Sequence, residues 1–159
     1  MADDLNNNPT PAPLPPSSTI LGSVQADRLL GTDADEDIIG REGDDYLVGS
    51  GGNDRLEGGN GWDRLRGGPG NDRLTGGPDE GDEANSFVFG PRDGNDRITD
   101  FSIPQGDLLY FGAKGRASPE VLEAVTENGS GDAVLTYDQT TITLSGVPPA
   151  DVLNWAASL

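Results

Sequence analysis

The chain has 159 residues, of which 28 are Asp or Glu and 10 are Lys or Arg, giving a formal net charge of −18. This charge argues against nucleic acid and anionic membranes as direct partners, and it favours cations. The absence of Cys and His excludes disulfides, thiolate or imidazole metal sites and a histidine base.

Residues 1–20 contain five of the twelve prolines, within NNNPTPAPLPPSS. This composition predicts a disordered, Pro-rich tail or linker. The acidic start, MADDLNNNPT, lacks the basic and apolar regions of a cleaved secretory signal. No run of 18 apolar residues occurs in the chain, so we expect no membrane insertion.

Residues 22–75 form six consecutive nine-residue repeats, each beginning with glycine. Position 6 is always acidic and position 8 is always Leu or Ile. The position-6 acids are Asp27, Glu36, Asp45, Asp54, Asp63 and Asp72. The position-8 residues are Leu29, Ile38, Leu47, Leu56, Leu65 and Leu74. An unbroken period of this length indicates stacked structural repeats.

Each repeat predicts a glycine-rich corner at positions 1 to 6 followed by one short strand. Positions 7 to 9 alternate between exposed and buried, which is typical of a strand with one inward side chain. A single unit cannot enclose a core, so the strands of repeats n and n+2 are expected to lie side by side, about 4.8 Å apart. The predicted fold class is all-β: a right-handed parallel β-roll, a β-helix of two sheets with the aliphatic residues between them.

The same stacking places the position-6 acids in two columns, one for odd and one for even repeats. Carboxylates about 5 Å apart repel each other unless a cation lies between them. Calcium prefers carboxylate and main-chain carbonyl oxygens, and the glycines leave such carbonyls available. We therefore predict that the repeats bind calcium and that the metal-free repeats are disordered.

The repeats resemble the GGxGxDxUx nonapeptide of the repeats-in-toxin (RTX) family, most closely in GGNGWDRLR and GGPGNDRLT. In that family, one loop supplies carbonyls 2 and 4 and its acid, and the loop two repeats later supplies carbonyls 1 and 3 and its acid. The resemblance implies about four to six calcium ions. The first two repeats depart from the motif, so their sites are expected to be weaker or empty.

By this resemblance, the first ion is held by Ser23, Gln25, Asp27, Gly40, Glu42 and Asp45. The second is held by Arg41, Gly43, Asp45, Gly58, Asn60 and Asp63. The third is held by Thr32, Ala34, Glu36, Gly49, Gly51 and Asp54, and the fourth by Ser50, Gly52, Asp54, Gly67, Pro69 and Asp72. A fifth uses Gly59, Gly61, Asp63, Gly76 and Pro78, with Asn85 where an acid is expected. Closing segments of the family also hold calcium, here through Asp93, Asp96 and Asp100.

Beyond residue 75 the period is lost and short aromatic strands are predicted in FVFG, RITDF and DLLYFG. We expect the apolar residues there to cover the end of the roll: Phe87, Phe89, Ile98, Phe101, Leu108 and Phe111. A short helix is predicted from Ser118 to about Val125, a hairpin with strands at 133–137 and 141–145, and a helix at 150–159. Trp62 and Trp155 are expected to pack. The predicted domains are the tail (1–20), the calcium-binding roll (21–89) and a capping and secretion-signal region (90–159).

No catalytic constellation is apparent, so the chain is predicted not to be an enzyme. The resemblance implies a monomeric, calcium-binding protein that is secreted by a type I transporter, which reads a signal within residues 118–159, and that folds outside the cell or at its surface. One alternative is the C-terminal module of a larger secreted enzyme, such as a serralysin-like protease or an alginate epimerase. Another is a glycan-binding surface or biofilm protein, since the outward Arg28, Arg55, Arg64 and Arg73 can serve either solubility or a polyanionic saccharide.

Overall fold

The computed structural model describes residues 18–78, 84–112, 115–116 and 124–158. The strands that correspond to the repeats are β1 (Ser18–Leu21), β2 (Arg28–Leu30), β3 (Glu36–Glu42), β4 (Tyr46–Val48), β5 (Arg55–Asn60), β6 (Arg64–Arg66) and β7 (Arg73–Thr75). They are followed by β8 (Ser86–Phe89), β9 (Asn95–Ile98), β10 (Leu108–Phe111), β11 (Gly115–Arg116), β12 (Ala124–Glu127), β13 (Ala133–Tyr137), β14 (Thr140–Leu144) and the helix α1 (Pro149–Ser158).

The strands build two sheets, as the nine-residue period predicts. Sheet 1 has the order β1-β3-β5-β7-β9-β14-β13-β12, and sheet 2 has the order β2-β4-β6-β8-β10-β11. Within the repeats every pairing is parallel and joins residues 18 positions apart, such as Leu29 with Leu47 and Ile38 with Leu56. Odd and even repeats therefore supply opposite sheets, and the predicted all-β parallel roll is confirmed.

The core consists of two columns of inward side chains, one from each sheet. The position-8 residues from Ile38 to Leu74 are fully buried. The columns continue past the repeats, because Phe87 pairs with Leu65 and Ile98 with Leu74. Of the apolar residues predicted to cover the end of the roll, Leu108 was the wrong choice: β10 turns Leu109 and Phe111 inward and leaves Leu108 half-buried.

The C-terminal segment closes one end of the roll. Strand β14 adds to β9 in parallel, and β13 and β12 then continue sheet 1 in antiparallel order. Helix α1 buries Val152 and Trp155, and the Trp155 ring meets Phe101 edge-on, with 5.4 Å between ring centroids. Phe101 in turn lies 6.1 Å from Phe87, so an aromatic chain joins this segment to the core of the roll.

Several local predictions can be compared with the coordinates. The hairpin is confirmed, with its second strand at 140–144, and the terminal helix is confirmed at Pro149–Ser158. The predicted helix ending near Val125 is wrong at its end, since that residue lies in β12; residues 117–123 lie outside the described residues. Trp155 packs as expected, whereas Trp62 is 59% exposed. Helix α1 has 10 residues, and no helix in the described ranges is long and apolar enough to cross a membrane.

Three residues of the segment predicted as a tail, residues 1–20, belong to the roll. Ser18, Thr19 and Ile20 belong to β1, which pairs with β3 so that Ile20 lies beside Ile38. The pattern STIL therefore acts as the strand of a further repeat that precedes the first glycine. Residues 1–17 lie outside the described residues.

Candidate metal centre

The position-6 acids form two hydrogen-bonded columns that run along the roll. In each column, Oδ1 of one acid accepts the backbone N–H of the acid 18 residues earlier, at 2.7 Å between Asp27 N and Asp45 Oδ1 and 2.8 Å between Asp54 N and Asp72 Oδ1. The first column contains Asp27, Asp45, Asp63, Asn85 and Asp107. The second contains Glu36, Asp54, Asp72 and Asp96. One oxygen of each carboxylate is thus used to align neighbouring loops.

In four of these residues the second carboxylate oxygen is buried and accepts no hydrogen bond. This holds for Oδ2 of Asp45, Asp54, Asp72 and Asp96, whose residues are only 2–3% exposed. A buried carboxylate oxygen without a partner is costly. A hard cation at this oxygen would offset that cost, because calcium takes six to eight oxygen ligands.

This oxygen and main-chain carbonyl oxygens of the next loop lie close to the glycine at position 1. A Cβ placed on Gly49 would lie 2.1 Å from Asp54 Oδ2 and 2.6 Å from the Gly67 carbonyl oxygen. At Gly40 the corresponding distances are 2.1 Å to Asp45 Oδ2 and 2.5 Å to the Gly58 oxygen. Position 1 must therefore be glycine, because a side chain there would collide with carboxylate and carbonyl oxygens, the ligand types that calcium prefers.

The loop conformation directs further carbonyls into the same gaps. A Cβ on Gly59 or Gly61 would lie 1.9 Å or 2.4 Å from the carbonyl oxygens of Arg41 and Gly43 of the loop below. These carbonyls therefore face the next loop. The backbone has positive φ at position 2 even where the residue is not glycine, at Arg41 (φ 93°) and Ser50 (φ 90°). Such conformations are unfavourable for side-chain-bearing residues, so the stacked arrangement must hold them in place.

The first two acids differ from the rest because a hydroxyl at position 2 satisfies them. Asp27 Oδ2 accepts the Ser23 backbone N–H at 2.6 Å and its Oγ–H at 2.8 Å. Glu36 is bonded in the same way by the backbone and hydroxyl of Thr32. The backbone and side-chain bonds from Ser23 lower the pKa of Asp27. These two carboxylates therefore accept hydrogen bonds from protein donors, and the weaker sites expected in the first two repeats stay a prediction.

Burial raises the pKa of the acids deeper in the second column. It raises the pKa of Asp54 to about 6, of Asp72 to about 7 and of Asp96 to about 8. Burial is the largest cause, and the neighbouring carboxylates add to it, whereas the backbone hydrogen bond to each carboxylate opposes it. Without a cation, these groups hold protons at pH values where an ordinary aspartate is ionised.

Beyond the sixth repeat the predicted ligands have more varied surroundings. The Gly76 carbonyl accepts the Gly59 N–H at 2.9 Å, and Asn85 occupies the acid position, its Oδ1 accepting the Asp63 N–H at 2.9 Å. Both oxygens of Asp100 accept backbone bonds, from Gly76 and Gly77. The Asp93 carboxylate accepts the Gly90 N–H. These last two acids fasten loops through their carboxylates.

Within the described residues, no group of three or more His, Cys, Asp or Glu side chains could hold a metal ion. This result follows from the geometry of the columns, since each gap between loops is bounded by two column side chains and otherwise by main-chain carbonyls. Any cation held here would therefore take most of its ligands from the backbone. The arrangement suits an oxygen-seeking ion such as calcium.

Two features of the columns were not recognised in the sequence. Asp107 continues the first column, and its side chain accepts the Asn85 N–H at 2.8 Å. The sequence pattern that indicates this role is Asp-Leu-Leu, in which an acid stands two residues before an inward aliphatic residue, as in the repeats. On the outer corner, position 5 forms a ladder in which each side-chain oxygen accepts the backbone and, where present, the side-chain N–H of the next residue. The ladder contains Asp35, Asn53, Asn71 and Asn95.

Comparison with known proteins identifies the repeat. The profile of the RTX calcium-binding nonapeptide repeat (four copies) matches residues 30–61 and 57–80. No curated protein sequence matches the chain significantly.

Solved structures of RTX-containing enzymes are similar to the chain. Two are subunits of the mannuronan C5-epimerase AlgE6 of Azotobacter vinelandii. The R2 subunit is 30% identical over 88% of this chain and 91% of its own (TM-score 0.33), and the R3 subunit is 27% identical over 85% and 78% (TM-score 0.36). The extracellular lipase LipA of Serratia marcescens is 18% identical over 91% of this chain and 40% of its own (TM-score 0.33).

We predict that Asp54→Asn weakens calcium-driven folding far more than Asp27→Asn. Asparagine keeps the Oδ1 acceptor but removes the charge, and Asp54 borders two gaps whereas Asp27 borders one and is already bonded to Ser23. The calcium midpoint measured by circular dichroism should rise about tenfold for Asp54→Asn, the change that corresponds to 1.4 kcal/mol. Asp27→Asn, the matched control, should shift it by much less. Equal midpoints for the two variants would contradict the columnar arrangement.

We also predict that acid stabilises the metal-free fold. Since the pKa values of Asp54, Asp72 and Asp96 are raised to about 6, 7 and 8, the folded state binds more protons than the unfolded state above the ordinary Asp value near 4. Its stability should therefore rise as pH falls through this window, by up to about 1.4 kcal/mol per group and pH unit. Circular dichroism in EDTA from pH 8 to pH 5 measures this as a gain of strand signal on acidification. Asp72→Asn, which resembles the protonated form, should reduce the pH dependence; a strand signal that does not change with pH, or that falls on acidification, would refute it.

Proposed function

The chain belongs to the RTX family of calcium-binding repeat proteins, and from that premise we propose that it is an export module that folds on calcium after secretion. The observation that carries the proposal is the set of buried Oδ2 atoms of Asp45, Asp54, Asp72 and Asp96, which accept no hydrogen bond. A chain that buries four such oxygens has a folded state that depends on a cation at these sites.

The calcium concentrations inside and outside a cell differ enough to control this fold. At about 1 mM calcium, a site with a dissociation constant near 10⁻⁴ M stabilises the folded state by about 1.4 kcal/mol, so four sites contribute roughly 5–6 kcal/mol. This is comparable with the whole stability of an ordinary domain. At submicromolar cytosolic calcium the contribution vanishes. The protein would therefore remain unfolded before export and fold afterwards.

We propose four to six bound ions, because six gaps separate successive column residues from Asp27 to Asn85 and from Glu36 to Asp96. The strongest sites are those between two unsatisfied carboxylates, at Asp54–Asp72 and Asp72–Asp96. The gaps that begin at Asp27 and Glu36 are weaker, because Ser23 and Thr32 already satisfy those acids. In this proposal Asp93 and Asp100 act only in the closing segment.

The proposed type I secretion signal lies in residues 118–159, most of which belong to the closed end of the roll. Strand β14 is hydrogen-bonded to β9, and helix α1 buries Val152 and Trp155. A transporter could read these side chains only while the chain is unfolded. The same segment would thus serve as the secretion signal while it is unfolded and as the cap once it is folded, and calcium binding would determine which state it is in. The tail (1–17), the roll (18–89) and the cap (90–159) are the functional divisions we propose, with Ser18–Ile20 moved from the tail to the roll because they pair in β1.

The proposal also assigns no catalysis to this chain. The RTX repeats serve folding and calcium binding, while the neighbours found among solved structures come from an epimerase and a lipase. If the chain is joined to such an enzyme, this module would provide export and folding. The active site would then lie in the attached domain.

Circular dichroism with calcium tests the proposal. In EDTA at pH 7.5 the full chain should lack the strand signal, and calcium should restore it cooperatively with a midpoint between about 0.1 and 1 mM. Magnesium at the same concentration is the control and should not replace calcium, because it demands a tighter octahedral site. Full strand signal and a cooperative melt in EDTA at this pH would sink the proposal.

A second candidate function is the binding of an acidic polysaccharide by the outer face of sheet 2. Strands β2, β4, β6, β8 and β10 turn no acid outward on this face, although the chain carries 28 acids. Arg28 and Arg64 lie 5.5 Å and 6.0 Å above the Tyr46 ring, and Arg64 lies 5.7 Å from that of Tyr110. Guanidinium groups bind carboxylates, and aromatic rings can pack against sugars.

Binding to polymannuronate, the class of polymer named for the epimerase neighbours, tests this second candidate. In calcium, the full chain should bind polymannuronate and not neutral dextran, and binding should weaken with salt. Arg64→Gln should reduce the affinity several-fold. Arg73→Gln, on the outer face of sheet 1, is the matched control. Equal loss in both variants would indicate only a nonspecific charge effect and would reject the site.

A further inference from the structure

The two ends of the roll are closed to different degrees. At the C-terminal end, the last column residues Ile98, Leu109 and Leu144 are fully buried. At the other end, Ile20 and Leu29 occupy the same columns but are only partly buried. Three of the five large exposed apolar residues of the described chain also lie in this first turn: Leu21, Val24 and Leu30. Stacked repeats need a cap at both ends.

The first turn also leaves two strand edges without a partner in the described part of the chain. Strands β1 and β2 each end their sheet. Gly22 N–H and Gly31 N–H bond to Ile39 and Val48 of the next strands. Because strand residues alternate in direction, the N–H and C=O groups of Thr19 and Leu30 point away from those strands. They form a ready template for a further strand.

These edges lack the features that usually protect an exposed strand. Strand β1 reads STIL, without charge or proline, and β2 reads RLL with Arg28 as its one charge. The two acids at this end already accept hydrogen bonds within their own loops, Asp27 from Ser23 and Glu36 from Thr32. Protected edges normally carry inward charges, prolines or bulges. This end is therefore suited to pairing.

We propose that two copies of the chain join through this end, with β1 paired to β1 of the partner copy and β2 paired to β2. A two-fold axis perpendicular to both sheets maps each edge onto itself in antiparallel orientation, so a single axis extends both sheets at once. It would bring the two partly buried ends of the core columns together. The capped ends then point outward, and the assembly stops at a dimer.

The sequence favours a second copy over the chain's own tail as the occupant. Residues 9–16 contain all five prolines of the tail, and proline cannot donate the N–H that a strand ladder needs. Residues 1–8 contain one large aliphatic besides Met1, Leu5, among two aspartates and three asparagines. Neither part resembles the apolar alternation of STIL. A second copy offers the same uncharged edge and the same exposed apolar residues.

The inference rests on the calcium-driven folding proposed above, because the end exists only when the roll is folded. Sedimentation velocity of the full chain, at several protein concentrations, should give a dimer in calcium and a monomer in EDTA. Circular dichroism on the same samples reports folding independently. A chain that folds in calcium but remains monomeric overturns the dimer alone, whereas a chain that shows no calcium-dependent folding overturns the proposed function.

The double variant Thr19→Pro/Leu30→Pro tests the edges directly. Each proline removes an N–H that points away from the roll, so the internal ladders keep their bonds. We expect a monomer with an unchanged calcium midpoint. If this variant fails to fold, Thr19→Lys/Leu21→Lys, which adds charge to the edge, should give the same result. Trp62→Ser, which removes another exposed apolar side chain, is the control and should remain dimeric; a dimer that survives the edge variants or is lost in this control overturns the proposal.

Discussion

The fold depends on carboxylates that are buried one above another along the roll. At Asp45, Asp54 and Asp72, one carboxylate oxygen accepts the N–H of the neighbouring loop and the other is buried without a hydrogen-bond donor. Ionised carboxylates that are buried in neighbouring loops of one column repel each other strongly, because little water screens them. Position 1 is glycine because a Cβ there would collide with the buried carboxylate, and the backbone takes positive φ at positions 2 and 4 of the same loops. A cation is what converts this repulsion into cohesion.

The sequence alone was sufficient for the repeated part of this fold. Each repeat carries a glycine, an acid and an aliphatic at fixed positions, so the two sheets, the 18-residue register and the two acid columns follow from the period. Prediction was less successful beyond the repeats, where successive residues of one column are 22 or 24 positions apart instead of 18. There the period no longer indicates which of two adjacent apolar residues faces inward, and Leu108 was chosen instead of Leu109. Asp107 was overlooked for the same reason, although it continues the first column.

Other features could not be read from local patterns because they depend on distant contacts. Val125 belongs to β12 through its pairing with Leu135, and propensity near Ser118 carries no information about that partner. The asparagine ladder at position 5 is visible only once Asn53 and Asn71 are stacked. Ser18–Ile20 were assigned to the tail because a single strand has no period of its own. In each case tertiary contacts overrode the local pattern.

The spacing within the columns shows what the fold requires of chain length. Successive column residues are 18 positions apart in the repeats, but Asp63 and Asn85 are separated by 22 and Asp72 and Asp96 by 24. The hydrogen bonds and the asparagine ladder nevertheless continue from Asn71 to Asn95. The alignment of successive turns of the roll is therefore determined by contacts between strands and not by the number of residues that connect them. The number of residues between two column positions can therefore change without displacing the columns, so the scaffold tolerates variation in length between Asp72 and Asp96.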